Sequence, residues 1–144
     1  AAEGLSVQVA RAHRLPRSQF AKESEVRRRI QLVAKETDES DAVLAICDAD
    51  DDCAVDLACK LREWTASERS DRATGVVIAV TEFESWFVAA ARSLVKAGKL
   101  APASSPPAAP EALRDAKGWL SAAMGTRYSP PLHQASFAAL FAFE

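Results

Sequence analysis

Long apolar runs are missing from this chain. No stretch approaches the roughly eighteen residues that a membrane-spanning helix needs, and no charged start leads into an apolar segment of the kind that marks a signal peptide. A surplus of one charge is missing as well. Eighteen Lys and Arg stand against twenty Asp and Glu, a formal charge of −2, so no global field draws the protein onto nucleic acid or an anionic membrane, and any polyanion contact must be local. Cysteine is scarce: Cys47, Cys53 and Cys59 are an odd number that forms no full disulfide framework. Their six-residue spacing fits no zinc signature, and His13 and His133 lie far away along the chain. The expectation is a cytoplasmic protein with reduced thiols and no membrane partner. What is present is enough apolar material, 49% of 144 residues, for the core of a single domain.

The order of patterns along the chain predicts alternating strands and helices. "GLSVQVARAHRL" alternates Leu5, Val7 and Val9 with polar or small residues, the period of a half-buried strand that Pro16 ends. "ESEVRRRIQLVAKE" carries Val26, Ile30 and Val33 at helical spacing. "DAVLAIC" reads as a strand covered on both faces, "AVDLACKLREW" as a helix, "VVIAV" as a third strand, and "EFESWFVAAARSLVKAG" as a helix with Gly98 as its C-cap. Phe83, Trp86 and Phe87 are expected to be largely buried, since they begin the helix that must cover the sheet. This order argues for a mainly parallel sheet with right-handed crossovers, whose ligands sit beyond the carboxyl ends of the strands. "APASSPPAAP" is a surface linker; "EALRDAKGWLSAAM" and "ASFAALFAF" read as helices on either side of a turn-rich "GTRYSPPLHQ".

Two acidic clusters lie at those carboxyl ends. In "AVLAICDADDDCAVD", Asp48, Asp50, Asp51 and Asp52 follow a run of strand formers. Asp48 and Asp50 are two apart, so in extended backbone their side chains project to one side and can share magnesium, a hard cation that prefers oxygen ligands. The plainer reading makes Asp52 the N-cap of the next helix and its neighbours solvated residues near the positive helix end. In "TEFESWF", Glu82 and Glu84 follow the third strand, but Thr81 and Glu84 also have the spacing of a capping box. Arg27, Arg28 and Arg29 fan around a helix and form no stripe. Arg11, His13, Arg14 and Arg17 offer phosphate contacts, and Arg127, Tyr128, His133 and Gln134 are polar enough to line a site or simply to cap and pack the last helix.

Four segments, "VLAICDADDDC", "VVIAVTEFESWFVAAARSL", "PEALRDAKGWL" and "RYSPPLHQASFAALF", resemble in wording and order a bacterial family of domains of unknown function assigned to the Toprim-like fold. The resemblance covers about Val7 to Phe143. It implies an α/β fold, a three-layer α/β/α Toprim-like domain with a mainly parallel sheet, its core at about 5–97, a linker at about 98–109 and a C-terminal helical extension at about 110–144. It also implies Asp48 and Asp50 as the family's magnesium-holding Asp-x-Asp pair and Glu82 and Glu84 as matches to the family's Glu-aromatic-Glu motif; Asp52 is a further candidate ligand, and manganese a substitute for magnesium. Toprim domains use such acids to cut or join phosphodiesters, and members of this family are associated with ATPases in bacterial defence. Glu3-Gly4 matches the motif that normally ends the opening strand, where the glutamate is the proposed acid or base, but too little chain precedes it for that strand, so the opening strand and helix are expected to be missing.

Three functions are consistent with these residues. The first is a magnesium-dependent nuclease acting on nucleic acid, with Glu82, Glu84 and Glu3 as its catalytic acids; the second is a non-catalytic docking module for a partner ATPase. The third, a phosphotransfer enzyme with Asp48 as nucleophile, lacks the usual Thr or Val after the second Asp, where Asp51 and Asp52 stand. In the first, Asp48, Asp50 and at least one of Glu82 and Glu84 must meet at one sheet edge. Oligomeric state is not encoded in any of these patterns.

Overall fold

The computed structural model describes residues 8–38 and 40–141. They form a mixed α/β structure in which seven α-helices and a short 3-10 turn accompany two strands, β1 (Val43–Asp48) and β2 (Thr74–Ala79). The strands pair in parallel as a two-stranded sheet. Their register is set by Val43 N–H donating to Ala73 O at 2.9 Å and Ala49 N–H donating to Ala79 O at 2.8 Å, the same offset at both ends.

Two compact units divide the chain, one holding residues up to Ala45 with Leu57–Val77, the other holding Ile46–Asp56 and everything from Ile78 on. In the first unit, α1 (Arg17–Phe20) packs on α2 (Glu23–Lys35). Helix α2 forms because its apolar residues recur at helical spacing and bury Val26, Ile30 and Ala34. An i,i+4 pair on its exposed face, Arg27 Nε donating to Glu23 Oε1 at 2.8 Å, adds support. Helix α3 (Ala54–Glu68) buries Leu57, Leu61 and Thr65, and the Thr65 hydroxyl is satisfied by the Leu61 carbonyl at 2.8 Å.

The second unit is built around Phe87, Val88, Leu94, Leu120, Tyr128 and Phe137. Helix α4 (Glu84–Ala89) supplies Phe87, whose ring meets Phe137 edge-on at 5.6 Å. Helix α5 (Ala91–Lys96) ends in a paired closure: Lys99 N–H reaches Leu94 O and Gly98 N–H reaches Val95 O, with Gly98 at φ 68°. That left-handed position is where glycine carries no Cβ penalty; the C-cap itself is Ala97, and Gly98 closes the helix one residue past it. Helix α6 (Ala116–Met124) starts at Asp115, whose carboxylate accepts from Gly118 N–H at 2.8 Å. Helix α7 (Pro130–Ala138) opens on Pro130 at its first turn.

Several expectations change here. The described residues fall short of a three-layer Toprim-like sheet, because only two strands form among them. Residues 8–16 make no strand and Val9 stays exposed, while Leu5 and Val7 lie outside the described residues. Alternation makes a strand only where a partner ladder takes up its hydrogen bonds, and none does at 8–16. The run "DAVLAIC" is apolar after Asp41, yet Leu44 and Ile46 are exposed while Val43 and Cys47 are buried. A wholly apolar run says that both faces tolerate cover, not that both are covered. The helix expected over 82–98 divides at Ala90, and the last helix begins five residues earlier than "ASFAALFAF" suggested. Phe87 is fully buried, whereas Phe83 and Trp86 are half-buried.

Candidate functional site: a carboxylate cluster closed by a lysine

The carboxyl ends of β1 and β2 bring the two acidic segments together within the second unit. Asp48 is the last residue of β1, and its Oδ1 accepts the Phe83 N–H at 2.9 Å. Two residues further on, Asp50 N–H donates to Thr81 O at 3.2 Å. Burial pushes the Asp48 carboxyl above its ordinary value; the Phe83 hydrogen bond opposes this, but the negative charges of Glu84 and Asp50 reinforce it, and Lys117 pulls the other way. The charges of Asp50 and Glu84 therefore both reach Asp48.

The Asp-x-Asp pair is not extended. Asp50 has φ 53°, a left-handed conformation that Asp tolerates better than most residues, in a turn closed by Asp52 N–H donating to Ala49 O at 3.0 Å. The turn leaves Asp50, Asp51 and Asp52 exposed, and Arg114 pairs with Asp51. The argument that Asp48 and Asp50 project to one side of a strand fails for this reason. No three of the His, Cys, Asp and Glu side chains among the described residues stand together in a way that would hold a metal ion, so Asp48, Asp50 and Asp52 do not form a ligand triad. Glu3 lies outside the described residues.

The glutamates have a different focus. Lys117, on α6, places Nζ 3.1 Å from Glu82 Oε2 and 3.1 Å from Glu84 Oε2. The Glu84 side chain is 4% exposed, that of Glu82 22% and that of Lys117 43%. Burial works to lower the Lys117 pKa, but the hydrogen bonds to Glu82 and Glu84 outweigh it and hold the ammonium above its ordinary value. Beside Glu84, the Tyr128 hydroxyl is buried. Burial raises its pKa, and the charge of Glu84 and a hydrogen bond to it raise it further.

The capping box does not form. Glu84 opens α4 behind Phe83, and the Thr81 hydroxyl donates to Glu111 O at 2.8 Å instead of turning onto the helix. Sequence reasoning passed over Lys117, an isolated basic residue in an otherwise ordinary helix that no local motif marks. It named Tyr128 only as part of a polar loop. The other residues of that loop serve the last helix: Ser129 N–H donates to His133 Nδ1 at 2.9 Å, and the Tyr128 and His133 rings lie 5.6 Å apart. In the first unit, His13 pairs with Glu36 at 2.9 Å. All three cysteines are free, with Cys47 buried and Cys53 and Cys59 exposed. Among the described residues no helix is long and apolar enough to cross a membrane.

No protein-family model, curated protein or solved structure matches this chain.

Proposed function

We infer that the carboxylate cluster holds magnesium or manganese for chemistry on nucleic-acid phosphodiesters. The observation that carries this reading is the focus of Glu82 and Glu84 on one cationic point, 3.1 Å from an oxygen of each, beside the carboxyl ends of two parallel strands. The donor set fits the ion: magnesium is held by one or two carboxylates, keeps several waters and takes further oxygens from substrate phosphates. When bound, such an ion neutralises charge on a phosphate and acidifies a water. The chain would supply Glu82 and Glu84 as the oxygen pair, while Asp48, whose carboxylate accepts the Phe83 N–H, adds negative charge nearby without completing a ligand triad. Glu84 is fixed by its burial, so this oxygen position is set before any ligand arrives. The resemblance of the Asp48 and Glu82 segments to a Toprim-like family supports phosphodiesters as the substrate class.

The test is a manganese titration of the full chain followed by cleavage assays on short DNA and RNA. A melting temperature raised by millimolar ion in the original protein, and unmoved in the Glu82→Gln, Glu84→Gln double variant, is the expected result. Identical response of the two proteins would overturn the metal site.

A second reading has one observation in its favour. Trp86, Ala89, Pro110, Glu111 and Phe141 line an open, mainly apolar depression of about 360 Å³. A surface of this kind suits a docking module, in which Lys117 simply neutralises its two glutamates and a partner, such as an ATPase, supplies the chemistry.

A further inference from the structure

Positive charge is not spread evenly along this chain. Residues 8–36 hold eight Lys and Arg against three Glu, whereas the residues from 37 on hold ten against sixteen Asp and Glu. A polyanion is on balance attracted by the first of these stretches and repelled by the second. We propose that α2 and the segment before α1 form a docking surface for the phosphate backbone of duplex nucleic acid, with Arg28, Lys35, Arg11 and Arg14 as its contacts. The surface shares the substrate class of the reading above and needs no bound ion.

Helix α2 turns Val26, Ile30 and Ala34 into the core, so its opposite face meets solvent. Arg28 and Lys35 lie seven residues apart, two turns along that face, and both are exposed. Neither they nor the exposed Arg11 and Arg14 make an ion pair among the described residues. Two of the three nearby glutamates are already engaged, Glu23 with Arg27 and Glu36 with His13. The second contact, His13 Nε2 to Glu36 Oε2 at 2.9 Å, brings Arg11 and Arg14 to the end of α2 that carries Lys35. Glu25 is half-buried on the flank of Arg28, and Asp38 and Asp41, in the turn after α2, bound the surface.

The chemistry of the surface selects its partner. Three of the four cations are arginines, whose planar guanidinium matches two phosphate oxygens at once. The apolar face of α2 is spent on the core, and Leu32 alone is an exposed large apolar residue on the rest of the helix, too little to sink into a bilayer. Unpaired bases need aromatic platforms, yet Phe20, half-buried, is the one Phe, Tyr or Trp in residues 8–38. A cationic surface poor in aromatics therefore holds a duplex by its phosphates and reads no sequence.

The experiment is fluorescence anisotropy of a labelled short DNA duplex of arbitrary sequence against the full chain, in a chelator so that nothing is cleaved, over a series of salt concentrations. With four phosphates contacted, the logarithm of affinity should fall with the logarithm of salt at a slope of about −3.6. Arg28→Gln with Lys35→Gln, and separately Arg11→Gln with Arg14→Gln, should each reduce that slope by about 1.8 and weaken binding at low salt about tenfold or more. Lys96→Gln with Lys99→Gln removes the same charge from exposed lysines of the second unit and should leave affinity unchanged within about twofold. Should one arginine-containing pair fail to fold, the other reads the same surface. Absence of duplex binding by the original protein at low salt, equal losses in all three variants, or tighter binding to the single strand than to the duplex would overturn the proposal. Binding to phosphatidylserine vesicles that duplex DNA fails to compete would overturn it as well. No divalent ion is present in the measurement, so its failure leaves the metal reading to its own titration.

Discussion

Glu68 in the first unit and Asp48 in the second are both partly buried acids, and their surroundings treat them in opposite ways. Glu68 accepts hydrogen bonds from Gln31 and Arg27 of α2, and its carboxyl is held below the ordinary range, above all by the Gln31 hydrogen bond, which burial opposes and the hydrogen bond and charge of Arg27 reinforce. Asp48 is pushed above that range by burial and by two other acids. The first arrangement stabilises a charge that ties two helices together. The second tolerates a charge that costs stability, and acids perturbed in this way are commoner at functional sites than elsewhere. The difference teaches that acidic content alone says little, since partners decide whether a carboxylate supports the fold or strains it.

The sharpest way to break this contrast is to remove the cation that pairs with Glu82 and Glu84 in the second unit. Lys117→Met leaves Glu84 buried beside Asp48 with no counter-charge, which should cost about 2 kcal/mol of metal-free stability, less than a fully buried pair because the lysine is part exposed. Urea unfolding in the presence of a chelator measures it. A loss near zero would mean that the acids of this unit are not under strain.

Removing the strained charge should act the other way. Asp48→Asn keeps an oxygen to accept the Phe83 N–H and deletes the repulsion, so a gain of up to about 1 kcal/mol at pH 7 is expected once solvent screening is allowed for. The folded pKa lies above the ordinary 3.8, so the folded state binds more protons and stability falls as pH rises between the two values. The advantage of Asn should accordingly be absent well below pH 3.8 and appear above the folded pKa. Unfolding curves at several pH values check it; an asparagine variant less stable at pH 7 would show that the Asp48 charge supports the fold.

Glu68→Gln tests the other side of the comparison and should give a smaller effect of opposite sign. The folded pKa of Glu68 is depressed below 4.5, so its contribution is present above that value and is lost as pH falls through the folded pKa. The variant should melt about 2 °C or less below the original at pH 7, since the pair is screened, and the gap should close in acid. A gap that instead widened in acid would contradict the stabilising role given to this carboxylate.

Much of this contrast was legible in the sequence, and the reasons for the rest are physical. Strands β1 and β2 and helices α2 and α3 follow from apolar spacing alone, and their order put Asp48 and the Glu82–Glu84 segment at the same sheet end. The turn at Asp50 was not legible, because a single left-handed residue leaves no periodic trace and reverses the argument from strand geometry. Nor was Lys117, whose meaning comes from two glutamates more than thirty residues earlier in the chain. The break at Ala90 escaped for the opposite reason: "FVAAARSL" is good helix throughout by propensity, and the interruption lies in the backbone, at φ −90° and ψ 21°.

The smallest effect is expected at Asp71, where the pKa shift is large and the stability at stake is not. Arg69 hydrogen-bonds the Asp71 carboxylate and holds its pKa at about 2. The two residues are only two apart, however, and the Asp71 side chain is half exposed. A contact that local persists in part in the unfolded chain, so the unfolded pKa is also depressed and the difference that enters the linkage relation shrinks. Were the contribution real, it would be present above pH 3.8 and lost as pH falls towards 2. Asp71→Asn should therefore leave the melting temperature unchanged within error at pH 7 and at pH 3, although NMR titration of the original protein still finds the carboxyl well below its ordinary value. A clear loss at pH 7 that vanished in acid would show the opposite: that the Arg69 pairing is a folded-state contact, and that exposed and part-buried acids in the first unit stabilise it alike.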